Sequence, residues 1–386
     1  MQTAPPPERT APFSAATLVR SLAASRERLA LCDATTLERQ LAIARIPAPL
    51  GGEDARSRWL AERFAALGLD DVRSDGEGNL IVRIAGEADL EPVAVLSHMD
   101  TVFTSRVPAE VVRTGDRFTG PGINDNARGL AAMLAIAAEL AGGEVQPRRS
   151  VLLVATTGEE GAGDLRGAKH FFGTHPRVTA AIALDGAGDD RIVNAALGSR
   201  RLHIAFDGPG GHSWSAHGVA NAVNAAAACT ARLARLAMPA GPRATLSVGR
   251  IGGGESINAI PAHAWLEVDA RSADAATLTT VERDIRRVVS AVVDEENRHR
   301  APGTPPLSAT VQRFGDRPSG LTPASHPLVA AAMEIIRELG CEPRLAVAST
   351  DANIPMSLGI PAIAIGAGGI GGNAHTDQEW YENVEG

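Results

Sequence analysis

Continuous apolar runs on either side of an alanine- and leucine-rich helix constrain this chain more than any other feature. Residues 93–97 (VAVLS) and 151–156 (VLLVAT) show no polar alternation, so strands built from them must be covered on both faces. Between them, residues 127–141 (ARGLAAMLAIAAELA) predict a helix of about four turns. Strand, helix and strand in that order predict an α/β layer around a mostly parallel sheet. Residues 80–84 add a strand, and 362–366 another buried one. The spacing of Leu18, Leu22, Leu29 and Leu37 predicts helix over 15–45; residues 54–68 predict a helix stopped by Gly68, and 326–339 a further one.

Near Gly198 the rhythm changes. Strands are predicted at 201–206, 244–250, 264–271 and 307–314, with helices at 221–236 and 278–293. The order βαββαβ is that of a ferredoxin-like sandwich. The simplest organisation is a small unit of residues 199–318 inserted into a larger one formed by 1–198 and 319–386.

A chain of 386 residues is long enough for both units. A formal net charge of −8, with no long basic run, argues against nucleic acid as a partner. No apolar segment reaches the roughly 18 residues of a membrane span, and the N-terminus has neither a signal-length apolar stretch nor a twin arginine. Cys32, Cys229 and Cys341 are far apart and odd in number, which argues against a disulfide framework and fits a reducing cytoplasm. The proline-rich residues 1–12 are expected to form a disordered arm.

Polar residues follow the apolar runs, where open α/β sheets place their ligand sites. In VAVLSHMDT, His98 and Asp100 project from one face of an extended chain, and such a carboxylate can accept the histidine's second ring N–H. Asp125, in GPGINDNARG, stands just before the 127–141 helix and taken alone reads first as an N-terminal cap. Glu159 and Glu160, in VATTGEEGAG, are adjacent acids that repel unless a cation lies between them. Asp185 ends another apolar run (AIALDGAG), and a glycine loop (GGIGGNAHTDQEW) delivers His375. Two histidines and three carboxylates make a ligand set that zinc and other divalent ions accept.

With these motifs the chain, from about residue 38 to its end, resembles the metallo-exopeptidases and deacylases that include peptidase T, carboxypeptidase G, acetylornithine deacetylase and succinyl-diaminopimelate desuccinylase. The resemblance implies two divalent metals, zinc first with manganese or cobalt as alternatives. It implies His98, Asp125, Glu160, Asp185 and His375 as ligands, with Asp125 bridging and Asp100 orienting His98. Glu159 matches the general base. The inserted unit resembles the family's lid, which dimerises: His212 (GPGGHS) matches a histidine that steadies the oxyanion in the partner subunit's site. Asn258 and Arg271 match the residues holding a substrate carboxylate. Two local roles stay open: His212 as a turn cap, and Arg271 as a partner of Asp269 or Asp274. The wording ATTGEE and STDANIPMSLGIPAIAIG leans toward the peptidase T-like branch. Relatives continue into a closing helix where this sequence stops, eleven residues after His375.

The expectation is therefore a cytoplasmic, homodimeric hydrolase that cuts an amide bond of a short peptide or N-substituted amino acid bearing a free carboxylate. Two alternatives remain beside it. One is cleavage of another C–N bond, by N-deacylation of an amino acid or deamination of an aromatic amine; the other is a non-catalytic binding member of the family.

Overall fold

The computed structural model describes residues 14–384; the predicted N-terminal arm, residues 1–12, lies outside them. A nine-stranded sheet forms the frame, and its middle is four parallel strands in the order Val151–Thr156, Val93–His98, Ala181–Leu184, Ala362–Ile365. Leu80–Ile84 and Arg191–Ala196 flank this centre antiparallel, so the sheet is mixed with a parallel heart.

The apolar runs are buried on both faces, as their composition requires. Val151, Leu153 and Ala155 enter a core with Ile43, Leu60, Phe64 and the Ala127–Ala141 helix. Leu152 and Val154 enter the opposite core with Phe171, Phe172 and Met356. Each such Leu or Val contributes about 1.5–3 kcal/mol relative to exposure.

The single helix predicted over 15–45 is instead three: Ala15–Ser21, Ala23–Leu31 and Asp33–Arg45, interrupted at Leu22 and Cys32. Their packing explains the breaks, because the first lies on the Pro327–Glu338 helix and the other two on the Ala127–Ala141 helix. Gly68 ends the Asp54–Ala66 helix as expected, at φ 78°.

The inserted segment follows the predicted βαββαβ order. Its antiparallel sheet runs Ala244–Gly253, His263–Ser272, Gly198–Asp207, Ser308–Arg317. Leu202, Ile204, Leu266 and Val268 pack beneath helices Ala222–Leu233 and Ala275–His299 in a core of their own. Side chains alternate along a strand, so Arg201, Asp269 and Arg271 stand on the face the helices leave open. A small sheet that sequence patterning missed joins Ile370–Gly372, Trp380–Glu382, Arg117–Thr119 and Val112–Thr114. Its strands are only three residues long, too short for a period to register. The C-terminal ends of the parallel strands open onto a cavity of about 940 Å³.

Candidate metal centre and active site

All five candidate ligands line this cavity. His98 ends its strand and is 3% exposed; its Nε2 lies 3.0 Å from Asp125 Oδ1 and 4.0 Å from Asp185 Oδ1. His375, in the glycine loop at φ 67°, directs Nε2 to Asp125 Oδ2 at 3.1 Å and Glu160 Oε1 at 2.8 Å. Asp125 therefore lies between the two histidines, one oxygen toward each. Asp185 completes one side and Glu160 the other. Asn126, joined to Asp125 by a cis peptide bond, takes the capping role by accepting from Gly129 N–H, which leaves the Asp125 carboxylate for the cavity.

This donor set fits divalent ions. Zinc–donor bonds of about 2.0–2.1 Å in a tetrahedral shell set neighbouring donors about 3.3 Å apart, close to the spacings around Asp125. Asp125 Oδ1 is buried, and His98 Nε2 lies 3.0 Å from it without the geometry of a formed hydrogen bond. His98, Asp125 and Glu160 bring one donor atom apiece within 4.8 Å of one another.

The electrostatics follow from crowding. Burial opposes charge on His98, but Asp125, Asp100 and Glu159 outweigh it and raise its pKa well above the usual histidine value. Hydrogen bonds to Asp125 and Glu160 push His375 up to about 10. Burial likewise opposes ionisation of Asp125, yet both histidines hold it below the usual carboxylate range. Burial, then the Asp125 charge, raises Asp185 to about 7. The Glu159 carboxyl is held well above its ordinary value, chiefly by burial, while Arg317 and His98 pull the other way.

Asp100 departs from expectation. His98 Nδ1 contacts the Asp100 backbone oxygen at 3.1 Å, whereas the nearest carboxylate oxygen is 3.8 Å away. The carboxylate, fully buried, instead accepts the backbone N–H groups of Glu159 at 2.9 Å and Glu160 at 2.8 Å. It grips the strand-end loop that carries both glutamates. Glu379 does the same for the Asp125 loop, accepting from Asn124 N–H and Asp125 N–H at 2.8 Å each and from Gly122 N–H at 3.1 Å. Arg56, 1% exposed, donates to the carbonyls of Met99 and Ile46; burial lowers its pKa to about 10, with the Asp100, Glu379 and Glu53 charges opposing.

Sequence reasoning passed over Glu379, Arg56, Arg317 and Asp351. Arg317 donates from Nη1 to Glu159 Oε1 at 3.2 Å and from Nη2 to the Glu159 carbonyl at 2.5 Å. Asp351 accepts from Thr156 Oγ1 at 2.5 Å beneath the strand ends, and burial raises it to about 6. Arg317 closes the Ser308–Arg317 strand, which sequence patterning ended at residue 314.

The lid candidates divide. Arg271 lines the cavity, with Nε donating to Asp269 Oδ2 at 2.6 Å; Asp274 instead caps the next helix. His212 and Asn258 are exposed and do not line the cavity of their own chain. They lie together, with Ser213 N–H donating to the Asn258 carbonyl and His212 opposite Ala259. Trp214 and Ile257 beside them are 87% and 103% exposed.

A cluster of histidines and carboxylates at the strand ends of such a sheet defines a metal-dependent hydrolase. The sequence model of the peptidase family M20/M25/M40 matches residues 94–385, and the chain belongs to that family. Among solved structures it is similar to a tripeptidase from Staphylococcus aureus, at 23% identity over 90% of this chain and 93% of that one, TM-score 0.75. The aminopeptidase PepT from Bacillus cereus is similar at 21% identity over 92% and 94%, TM-score 0.73. The YXEP protein of Bacillus subtilis, described as a dinuclear metal binding peptidase, is similar at 16% identity over 91% and 93%, TM-score 0.66. Among curated proteins no sequence match is found. No described helix is long and apolar enough to cross a membrane.

Proposed function

We propose that the chain hydrolyses the amide bond of short peptides that end in a free carboxylate. Two divalent ions, zinc first and manganese or cobalt as alternatives, would be held by His98, Asp125 and Asp185 on one side and by His375, Asp125 and Glu160 on the other. One observation carries this reading: Asp125 turns one oxygen to each histidine, at 3.0 and 3.1 Å, with buried Glu159 adjoining Glu160. Its likeness to a tripeptidase and to PepT supports peptides as the substrate class.

Bound there, the ions would polarise the scissile carbonyl and lower the pKa of the attacking water. The chain's own groups do the rest. Glu159 takes the water's proton on its carboxylate and returns it to the leaving nitrogen, and its burial supports basicity. Arg317, bonded to both the side chain and the carbonyl of Glu159, keeps that carboxylate aimed. Asp100 positions both glutamates through their amides. Arg271 orients the substrate by its carboxylate.

The exposed His212, Asn258, Trp214 and Ile257 support a homodimer formed through the lid, residues 199–318. His212 of the partner subunit would then steady charge on the carbonyl oxygen, and Asn258 of the partner subunit would share the carboxylate with Arg271. A reducing cytoplasm is the proposed compartment, on the cysteine pattern.

The test is a panel of dipeptides, tripeptides, their C-terminal amides and N-acyl amino acids, assayed after chelation and after adding Zn²⁺, Mn²⁺ or Co²⁺. Acids should outperform amides, and Arg271→Ala should lose roughly 2–4 kcal/mol in kcat/KM on acids. Equal turnover of acid and amide removes the carboxylate role; full activity in metal-free protein removes the mechanism.

A further inference from the structure

Three guanidinium groups share the open face of the inserted sheet. Arg201, Arg271 and Arg317 all line the cavity that contains His98, Asp125 and Glu160. Strand register sets Arg271 and Arg317 on either side of Ser199, with Asp269 and Gly315 on either side of Arg201. Gly315 lies at an irregularity in the strand, and a Cβ there would come within 3.1–3.4 Å of the Arg201 side chain. The missing side chain thus leaves Arg201 room to extend across the strand toward the cavity.

The guanidiniums on this wall share their carboxylate partners. Asp269 accepts from Arg271 at 2.6 Å and stands 3.7 Å from Arg201 Nε, while Glu159 takes Arg317. Asp269 thus serves both Arg201 and Arg271. Burial first, then Arg317 and Arg271, lower the pKa of Arg201, with Asp269 and Asp164 opposing. Donors are also left over: Arg317 Nε is buried without a partner, and the Arg271 side chain is 40% exposed. Arg344, elsewhere on the cavity lining, is held by Asp190 at 2.6 and 3.0 Å.

We propose that this wall binds a second carboxylate, so that the preferred substrate ends in aspartate or glutamate. This rests on the hydrolase reading above, in which Arg271 takes the α-carboxylate; Arg201, with Arg317 behind it, takes the side-chain carboxylate. Planar bidentate donors in a partly buried site suit that anion. A competing role exists for the same residues: Arg201 donates to the Gly161 carbonyl, Arg317 to that of Glu159, and Asp316 N–H to Asp164, which ties the inserted sheet to the loop after Glu160. A tie of that kind serves every substrate equally. A carboxylate site serves only acidic ones.

The experiment compares kcat/KM for alanyl-glutamate with alanyl-glutamine, and alanyl-aspartate with alanyl-asparagine, in zinc-loaded wild type and Arg201→Gln. In wild type the acidic member of each pair should lead by about 10- to 100-fold, the range of a charge-assisted hydrogen bond. Arg201→Gln should shrink that ratio to about threefold or less while turnover of the neutral dipeptides stays near wild type. Acid and amide turned over equally by wild type overturns the proposal but leaves the hydrolase reading standing. A variant that loses both members of each pair in proportion assigns Arg201 to the tie alone. No turnover of any dipeptide or of the matching tripeptides with metal present overturns both readings.

Discussion

Replacing Asp100 by asparagine separates two ways in which that carboxylate can serve the site. If it fixed the His98 ring, the substitution would act on that ligand alone. The contacts say otherwise: His98 Nδ1 meets the Asp100 backbone oxygen at 3.1 Å, which asparagine retains, while the carboxylate oxygens accept Glu159 N–H and Glu160 N–H at 2.9 and 2.8 Å. Asparagine keeps one acceptor and turns an NH₂ toward the other amide. The loss is one charge-assisted bond, about 1.5–3 kcal/mol, plus a stranded buried donor at about 1–3 kcal/mol, or about 2.5–6 kcal/mol together. The position is completely buried, so water cannot repair the loss. Thermal unfolding in chelator should fall accordingly, and competition titration should give zinc affinity about 10- to 100-fold weaker, because the loop carrying Glu160 loses its anchor. Unchanged stability and affinity in Asp100→Asn would refute the amide clamp.

Three further outcomes follow from the same geometry. Mixing His212→Ala with Asp125→Ala should restore activity, since a hybrid dimer contains one site with both groups intact; no rescue after proven subunit exchange would confine His212 to its own chain or to no role. Metal binding should release protons and weaken as pH falls, because His375, held up at about 10, and His98, also raised, must shed their protons to become ligands; calorimetry showing no dependence on buffer ionisation heat would contradict this. Gly129→Ala should destabilise by about 1–3 kcal/mol, because a Cβ there would meet Leu184 O and Ser97 Oγ at 2.6 Å, whereas Gly173→Ala, with open space around it, should be neutral or stabilising in the same melting assay.

How far the sequence carries depends on whether a residue's role is local. Val93–His98 and Val151–Thr156 declare themselves because apolar residues fill both of their faces without polar alternation, and their ends point to His98, Glu159 and Glu160. Asp125 was ambiguous between ligand and cap until Asn126 was seen to take the cap. Glu379 and Arg56 left no trace in sequence, because their partners are backbone groups of distant loops, 254 positions away for Glu379 and Asp125 and 43 for Arg56 and Met99. The leucine spacing over 15–45 fits one continuous helix, and only packing against two different partners breaks it.

The central claim is that Glu159 moves the proton while Glu160 and Asp125 hold metal. The most direct test measures metal content and steady-state turnover on the same preparation of Glu159→Gln. Glutamine keeps the size of the side chain and its contact with Arg317 but cannot accept the water's proton. The account predicts two ions per chain, as in wild type, with kcat lower by ~10²–10⁴. Loss of an ion from Glu159→Gln, or an undiminished kcat, would contradict it.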